Sequence, residues 1–326
     1  MTGPSWAPGS PELVAFGEAM IAFVARPDGP LHEAQHFTPH LAGAESNVAV
    51  GVARLGHRAS FAGRVGDDPF GSMIIRRLLA EGVAIEHLVR DGAAPTGMLF
   101  RNLREFPAPE VAYRRTGSAG SRLAPDDVRA VLKGLPAGTV IHVSGVTPAL
   151  SESCLAAAHA LADTAQERGL QLFVDVNYRG RLWGADAAVP VLRKLIASAS
   201  IVTASRSEAA MLTGETAALD AAAALAGLGP RIAVIRDDTL GAVASTGSRQ
   251  PPIVVPGRVA RRAVDTVGAG DAFNAGLIAG LLEDQSLPDA IANAHLCGAA
   301  AVGVIGDIEG LPTRRELSPA ADDVRR

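Results

Sequence analysis

The segment Asp265-Thr266-Val267-Gly268-Ala269-Gly270-Asp271-Ala272-Phe273 holds the residue types best suited to chemistry. A Gly-Ala-Gly turn runs straight into an apolar stretch that reads as a helix. Small residues let the backbone approach a ligand closely. The free N–H groups and dipole of a helix start then attract an anion. Asp271 stands at that start. A carboxylate there repels a phosphate unless it has a task of its own, and taking a proton from an attacking hydroxyl is such a task. On the residues alone, ordinary capping of the helix by Asp271 is the competing reading. No GxxxxGK[ST] loop occurs in the chain, so a Walker-type cradle is excluded.

The elements that must position this turn are legible around it. Apolar runs at Leu13–Phe16, Ala59–Val65, Val140–Val143, Leu172–Val176, Ile201–Ala204 and Ile232–Ile235 read as strands, and Ile21–Val24 reads as extended. Helical patterns cover Asn47–Gly56, Phe70–Glu81, Glu152–Arg168, Ala187–Ala199, Ser207–Leu212, Asp271–Leu282 and Pro288–Val304. Thr96–Phe100 and Val111–Arg115 read as a hairpin. Continuous apolar strands alternating with helices predict a mostly parallel sheet covered on both faces. Ligands in such sheets bind beyond the carboxyl ends of the strands.

The chain has 326 residues, 48% hydrophobic, with 30 basic and 34 acidic side chains and a net charge of -4. That balance offers no pull toward nucleic acid or an anionic membrane. With 4% aromatic residues, base-stacking platforms are not expected either. No apolar run is long enough to span a bilayer. Cys154 and Cys297 lack metal or redox spacing and read as buried thiols in a reducing compartment. Met1–Pro11 reads as a loose tail without signal-peptide character. The expected setting is cytoplasmic.

The string from Asp265 to Phe273 resembles the DTxGAGDxF signature of the ribokinase-like (PfkB) sugar kinases. Ala42-Gly43-Ala44-Glu45-Ser46-Asn47, running on to Arg54-Leu55-Gly56, resembles their other signature, with Ala42 replacing a glycine. Gly63–Gly71 resembles the next family block, and the resemblance extends over about Leu13 to Leu317. It implies an αβα three-layer fold, a single domain over 1–326, and a small β lid from about 18–40 and 96–116. It also implies ATP and Mg2+, a small-molecule sugar as partner, and a homo-oligomer.

The resemblance assigns roles. Asp271 becomes the base, and the amides of Gly268, Ala269 and Gly270 an anion hole. Gly43 and Asn47 would bind sugar hydroxyls. Tyr113-Arg114-Arg115 and Asp175-Val176-Asn177-Tyr178-Arg179 resemble segments of 2-keto-3-deoxygluconate kinases. There Tyr113, Arg115 and Asn177 would hold a sugar acid, and Arg179 would help bind the acid or the phosphates, as a forked guanidinium suits either. Ser144–Leu150 and Gly306–Thr313 resemble blocks of the same subgroup. On the nucleotide side, Ser205-Arg206-Ser207-Glu208 falls where relatives carry NxxE, which implies Ser205 toward the nucleotide and Glu208 toward Mg2+. Gly241 and Asn293 complete that side. Asp237 and Asp238 add negative charge beside the expected triphosphate. A neutral-sugar or nucleoside kinase, and a weakly catalytic regulatory relative, are the alternatives.

Overall fold

The computed structural model describes residues 13–317 apart from 104–108, 238–239, 248–250, 259 and 261. The central sheet begins with β1 (Leu13–Phe16), which pairs in parallel with β4 (Ala59–Gly66) on one side and β8 (Val140–Ser144) on the other. β5 (Leu88–Asp91) extends it past β4, and β9 (Gln171–Asp175), β10 (Ile201–Ser205) and β11 (Ile232–Asp237) extend it past β8, all parallel. β12 (Gly241–Ser245) and β13 (Ile253–Val255) then turn antiparallel, completing nine strands. The expected parallel sheet is therefore present with an antiparallel edge that local pattern did not announce.

Alternation along the strands sends side chains to two cores. In β1, Leu13 and Ala15 join a cluster with α1 (Ala44–Arg54), α2 (Pro69–Ala80), α8 (Ala269–Leu282) and α9 (Leu287–Ala301). Val14 and Phe16 face α3 (Pro125–Leu132), α4 (Glu152–Glu167), α5 (Ala185–Ala197), α6 (Arg206–Thr213) and α7 (Ala218–Ala226). A short α10 (Arg314–Leu317) brings the described α-helices to ten. The three-layer ribokinase-like αβα arrangement follows from helices covering both faces.

A second sheet of four strands stands apart, in the order β3 (His36–Ala42), β2 (Met20–Arg26), β6 (Met98–Arg101), β7 (Val111–Arg114). β6 and β7 pair antiparallel, as the hairpin reading expected. β3 carries Pro39 and had no clear strand pattern, yet it pairs with β2 along all seven of its residues.

Two helices, α1 and α8, bring the central polar residues of the fold together. α8 is apolar on every side and buried from Ala272 to Gly280, so it runs through the core rather than over it. It packs on α1, where a Cβ at Gly51 would stand 2.5 Å from the Ala275 Cβ. Only glycine permits that approach. One turn further toward each N-terminus lie Asn47 and Asp271.

Candidate active site

Residues at the carboxyl ends of the parallel strands gather around a cavity of about 440 Å³. Glu18 follows β1, Asn177 and Arg179 follow β9, Ser205 ends β10, and Arg236 lies near the end of β11. The small sheet supplies Met20, Leu99, Arg101, Val111 and Tyr113 as the opposite wall. A second cavity of about 550 Å³ continues past Ser205, Arg236 and Gly270, which line both.

Asp271 sits in the first turn of α8 and opens onto the first cavity. It does not cap the helix: Gly268 is the N-cap, with φ 80° and no side-chain bond. A Cβ at Gly268 would meet the Asp307 carbonyl oxygen at 2.6 Å. The amides of Gly268, Gly270 and Asp271 have no partner among the described residues, while that of Ala269 makes a long 3.4 Å bond to the Thr266 carbonyl. Asn47 Nδ2 donates to Asp271 Oδ2 at 2.8 Å and to Asp307 Oδ2 at 3.4 Å. Asn47 lies within α1 behind the N-cap, Gly43, so it does not cap that helix. Burial pushes the Asp271 carboxyl up to about 8; the Asn47 bond opposes this, and the charges of Asp175 and Asp307 add to it. Burial likewise lifts Asp307 to about 6 against the pull of Arg101.

Other expected residues fall around this centre. Gly43, at φ 130°, has no room for a Cβ, which would stand 2.3 Å from the Glu18 carbonyl. Asn177 adopts φ 34°, a left-handed conformation asparagine tolerates better than most residues. Tyr113 lines the cavity with Arg115 packed 5.6 Å from its ring centre. Arg115 is buried, not a solvated hairpin residue: its Nε and Nη2 donate to Glu18 Oε2 at 2.8 and 2.5 Å. Arg179 is exposed at the cavity and makes no ion pair among the described residues.

Ser205 and Glu208 form a reciprocal cap at the start of α6. Glu208 Oε2 accepts from the Ser205 amide at 2.7 Å and hydroxyl at 2.8 Å, and Oε1 accepts from the Tyr178 amide at 2.7 Å. Its carboxylate thus has a structural duty, although it lines the first cavity. Among the described residues no group of three or more His, Cys, Asp or Glu could hold a metal ion. Gly241, at φ 93°, lines the second cavity, and a Cβ there would stand 2.0 Å from the Gly257 amide. Asp237 lines it as well, but is buried, paired with Arg206 at 3.3 Å and bonded to the Leu240 amide, so its charge is countered. Asp238 lies outside the described residues.

Asn293 is not brought to either large cavity. Its amide donates to Gln285 Oε1 at 2.7 Å, on the far side of α9. Two residues on, His295 faces the second cavity and packs edge-on against Phe273. A helix turns about 200° over two residues, so the misplacement is one of face. Sequence reasoning also passed over Arg236, which donates to Asn274 and Asp175 at 3.1 Å each and stands at the junction of the cavities. A cation ending an apolar parallel strand was the available signal. Glu18, Glu45, Arg101 and Asp307 went unassigned because their partners are remote in sequence.

Residues 10–314 match the pfkB family carbohydrate kinase. The chain is 35% identical over 313 residues to a 2-dehydro-3-deoxygluconokinase from Bacillus subtilis, covering 94% of each. It is 34% identical over 314 residues to another from Thermoproteus tenax, covering 93% of this chain and 92% of that one. A crystal structure of fructokinase from Vibrio cholerae in fructose, ADP and calcium ion bound form superposes with a TM-score of 0.81 at 29% identity, covering 93% and 96% of the two chains. A likeness that runs through both sheets and both signatures, rather than through one turn, makes this chain a member of the pfkB family of carbohydrate kinases, and hence a sugar kinase.

Proposed function

We propose that this kinase moves the γ-phosphoryl group of ATP onto a primary hydroxyl of a sugar acid of the 2-keto-3-deoxygluconate type, with Asp271 as the base. The placement of Asp271 carries the reading: it lines the first cavity next to Gly270, which lines both, and beside amides at a helix start that have no partner among the described residues. The sugar occupies the first cavity and the nucleotide the second. The hydroxyl oxygen bonds to the γ-phosphorus, the bond to the β-bridging oxygen breaks, ADP leaves, and Asp271 takes the hydroxyl proton. The Gly268–Gly270 turn and Arg236 face the charge that develops. The small sheet acts as the lid over the sugar and keeps water out.

The residues present would hold Mg2+ together with the phosphates of the nucleotide. That ion suits phosphate and water oxygens with one or two carboxylates, which fits a site where no group of three or more His, Cys, Asp or Glu gathers among the described residues. Of the residues lining the first cavity, Asp175 and Glu208 would help hold the ion, Glu208 while keeping its bonds in the α6 cap. Bound there, the ion neutralises phosphate charge.

For the acid group, the unpaired Arg179 supports a sugar carboxylate. Arg115, already held by Glu18, keeps Nη1 without a partner among the described residues. The similarity to 2-dehydro-3-deoxygluconokinases points the same way. A neutral hexose is the second reading, favoured by the fructokinase neighbour. ADP release measured across sugar acids, fructose, ribose and adenosine tests both. The acid is expected to lead in kcat/KM by about 10–10²-fold, the worth of one charged contact. Equal rates on fructose would sink the sugar-acid reading, and no ADP release with any sugar would sink turnover itself.

A further inference from the structure

Arg101 ends strand β6 of the small sheet and is 4% exposed. Its guanidinium forks onto Asp265, Nη1 to Oδ1 at 3.2 Å and Nη2 to Oδ2 at 2.6 Å. Nη2 also lies 3.6 Å from Asp307 Oδ1. Asp265 in turn accepts from the Val267 amide at 3.2 Å and the Gly306 amide at 3.1 Å. One buried carboxylate therefore joins three pieces of chain that meet nowhere in sequence. They are the small sheet, the turn that leads into α8, and the turn that bears Asp307. The last two are in contact, since Gly268 leaves no room for a Cβ against Asp307.

We propose that Arg101 is a positioning residue for phosphoryl transfer: by forking onto Asp265 it makes the docked small sheet hold the turn at the head of α8 in its anion-binding shape. This rests on the reading of that turn as the phosphoryl cradle. The fork matters because two parallel N–H bonds fix the plane of the carboxylate, and that plane aims both Asp265 oxygens at the amides of the two turns. A lysine supplies the charge without the plane. Arg101 lines the sugar cavity and is absent from the lining of the nucleotide cavity, yet its partner lies three residues before Gly268. Sugar-side docking and phosphate-side order are thus joined through one ion pair.

Arg101→Lys, Arg101→Ala, Asp265→Asn and the Arg101→Ala/Asp265→Asn double variant are compared with the wild type for kcat, sugar KM, nucleotide KM and melting temperature, with Asp271→Asn as a control. Folded Arg101 variants are expected to lose kcat by about 10²-fold, the usual effect of a small misplacement, with sugar KM changed far less. The double variant is expected to be no slower than Asp265→Asn, and added guanidinium ion to restore part of the Arg101→Ala rate. A residue that merely touched sugar would instead raise KM and keep kcat. Wild-type kcat in Arg101→Lys, or losses that multiply in the double variant, overturns the proposal. Should Arg101→Ala not fold, Arg101→Lys decides alone. Turnover surviving in Asp271→Asn removes the reading of the turn itself. An inactive Asp271→Asn beside a fully active Arg101→Lys leaves that reading standing and removes only this inference.

Discussion

At the scale of single residues, the environment of Asp271 dictates how activity follows pH. Burial holds its carboxyl up to about 8, and in the proposed role of base it must be ionised to accept a proton. kcat/KM should therefore climb with pH along a limb near 8. Asn47 donates to the charged form, so Asn47→Ala should move that limb to higher pH and cut kcat/KM at neutral pH by about 10–10²-fold. Asp271→Asn should lower kcat by about 10²–10⁴-fold while calorimetry still finds the sugar bound. The same group affects folding. Its pKa is raised from 3.8 in the folded state, so its stabilisation is full below that value and is lost as pH rises toward about 8. Urea melts of the wild type should weaken from pH 5 to pH 8, and Asp271→Asn should flatten that slope.

At the scale of elements, the start of α8 separates a glycine the fold needs from one that the ligand needs. Gly268 has φ 80° and a carbonyl 2.6 Å from any added Cβ. Gly268→Ala should cost about 1–3 kcal/mol, visible as a lower melting temperature. At Gly270 an added Cβ meets nothing nearer than Arg236 Cζ, at an ordinary 3.7 Å. Gly270→Ala should be neutral or up to about 1 kcal/mol stabilising, because alanine favours a helix. It should still weaken nucleotide binding, since it fills the junction of the two cavities. Melting curves beside nucleotide titrations check both halves, and a Gly270→Ala protein that binds ATP normally would contradict this division.

At the scale of the whole molecule, what could be read from sequence was what neighbouring residues determine. The α8 turn, the β6–β7 hairpin and the alternating strands each carry their signal within about twenty residues. β12 and β13 did not stand out, because an antiparallel edge needs only short strands without a helix between them. Asn293 was assigned to the wrong face of α9, as small residues line both faces and leave no stripe to orient it. Arg101 pairs with a residue 164 positions away, and Asn47 with one 224 away; no local pattern encodes such partners. Arg179 lines the first cavity, and the selectivity proposed for it depends on the complete site. Acids at Glu18, Glu45, Asp175, Asp271 and Asp307 crowd the cavity, so an incoming carboxylate depends on the few cations there. Arg179→Ala should therefore reduce kcat/KM for sugar acids by about 10–10²-fold and leave fructose nearly unchanged in a coupled assay.

The close crossing of α1 and α8 has a consequence away from any ligand. Gly51 and Ala275 touch one turn behind Asn47 and Asp271, so the distance from amide to carboxylate is gauged by the narrowest point between two cylinders. A Gly51→Val wedge would pry the pair apart like a shim in a vice. The enzyme would keep every side chain that meets substrate and still show the displaced alkaline limb expected of Asn47→Ala.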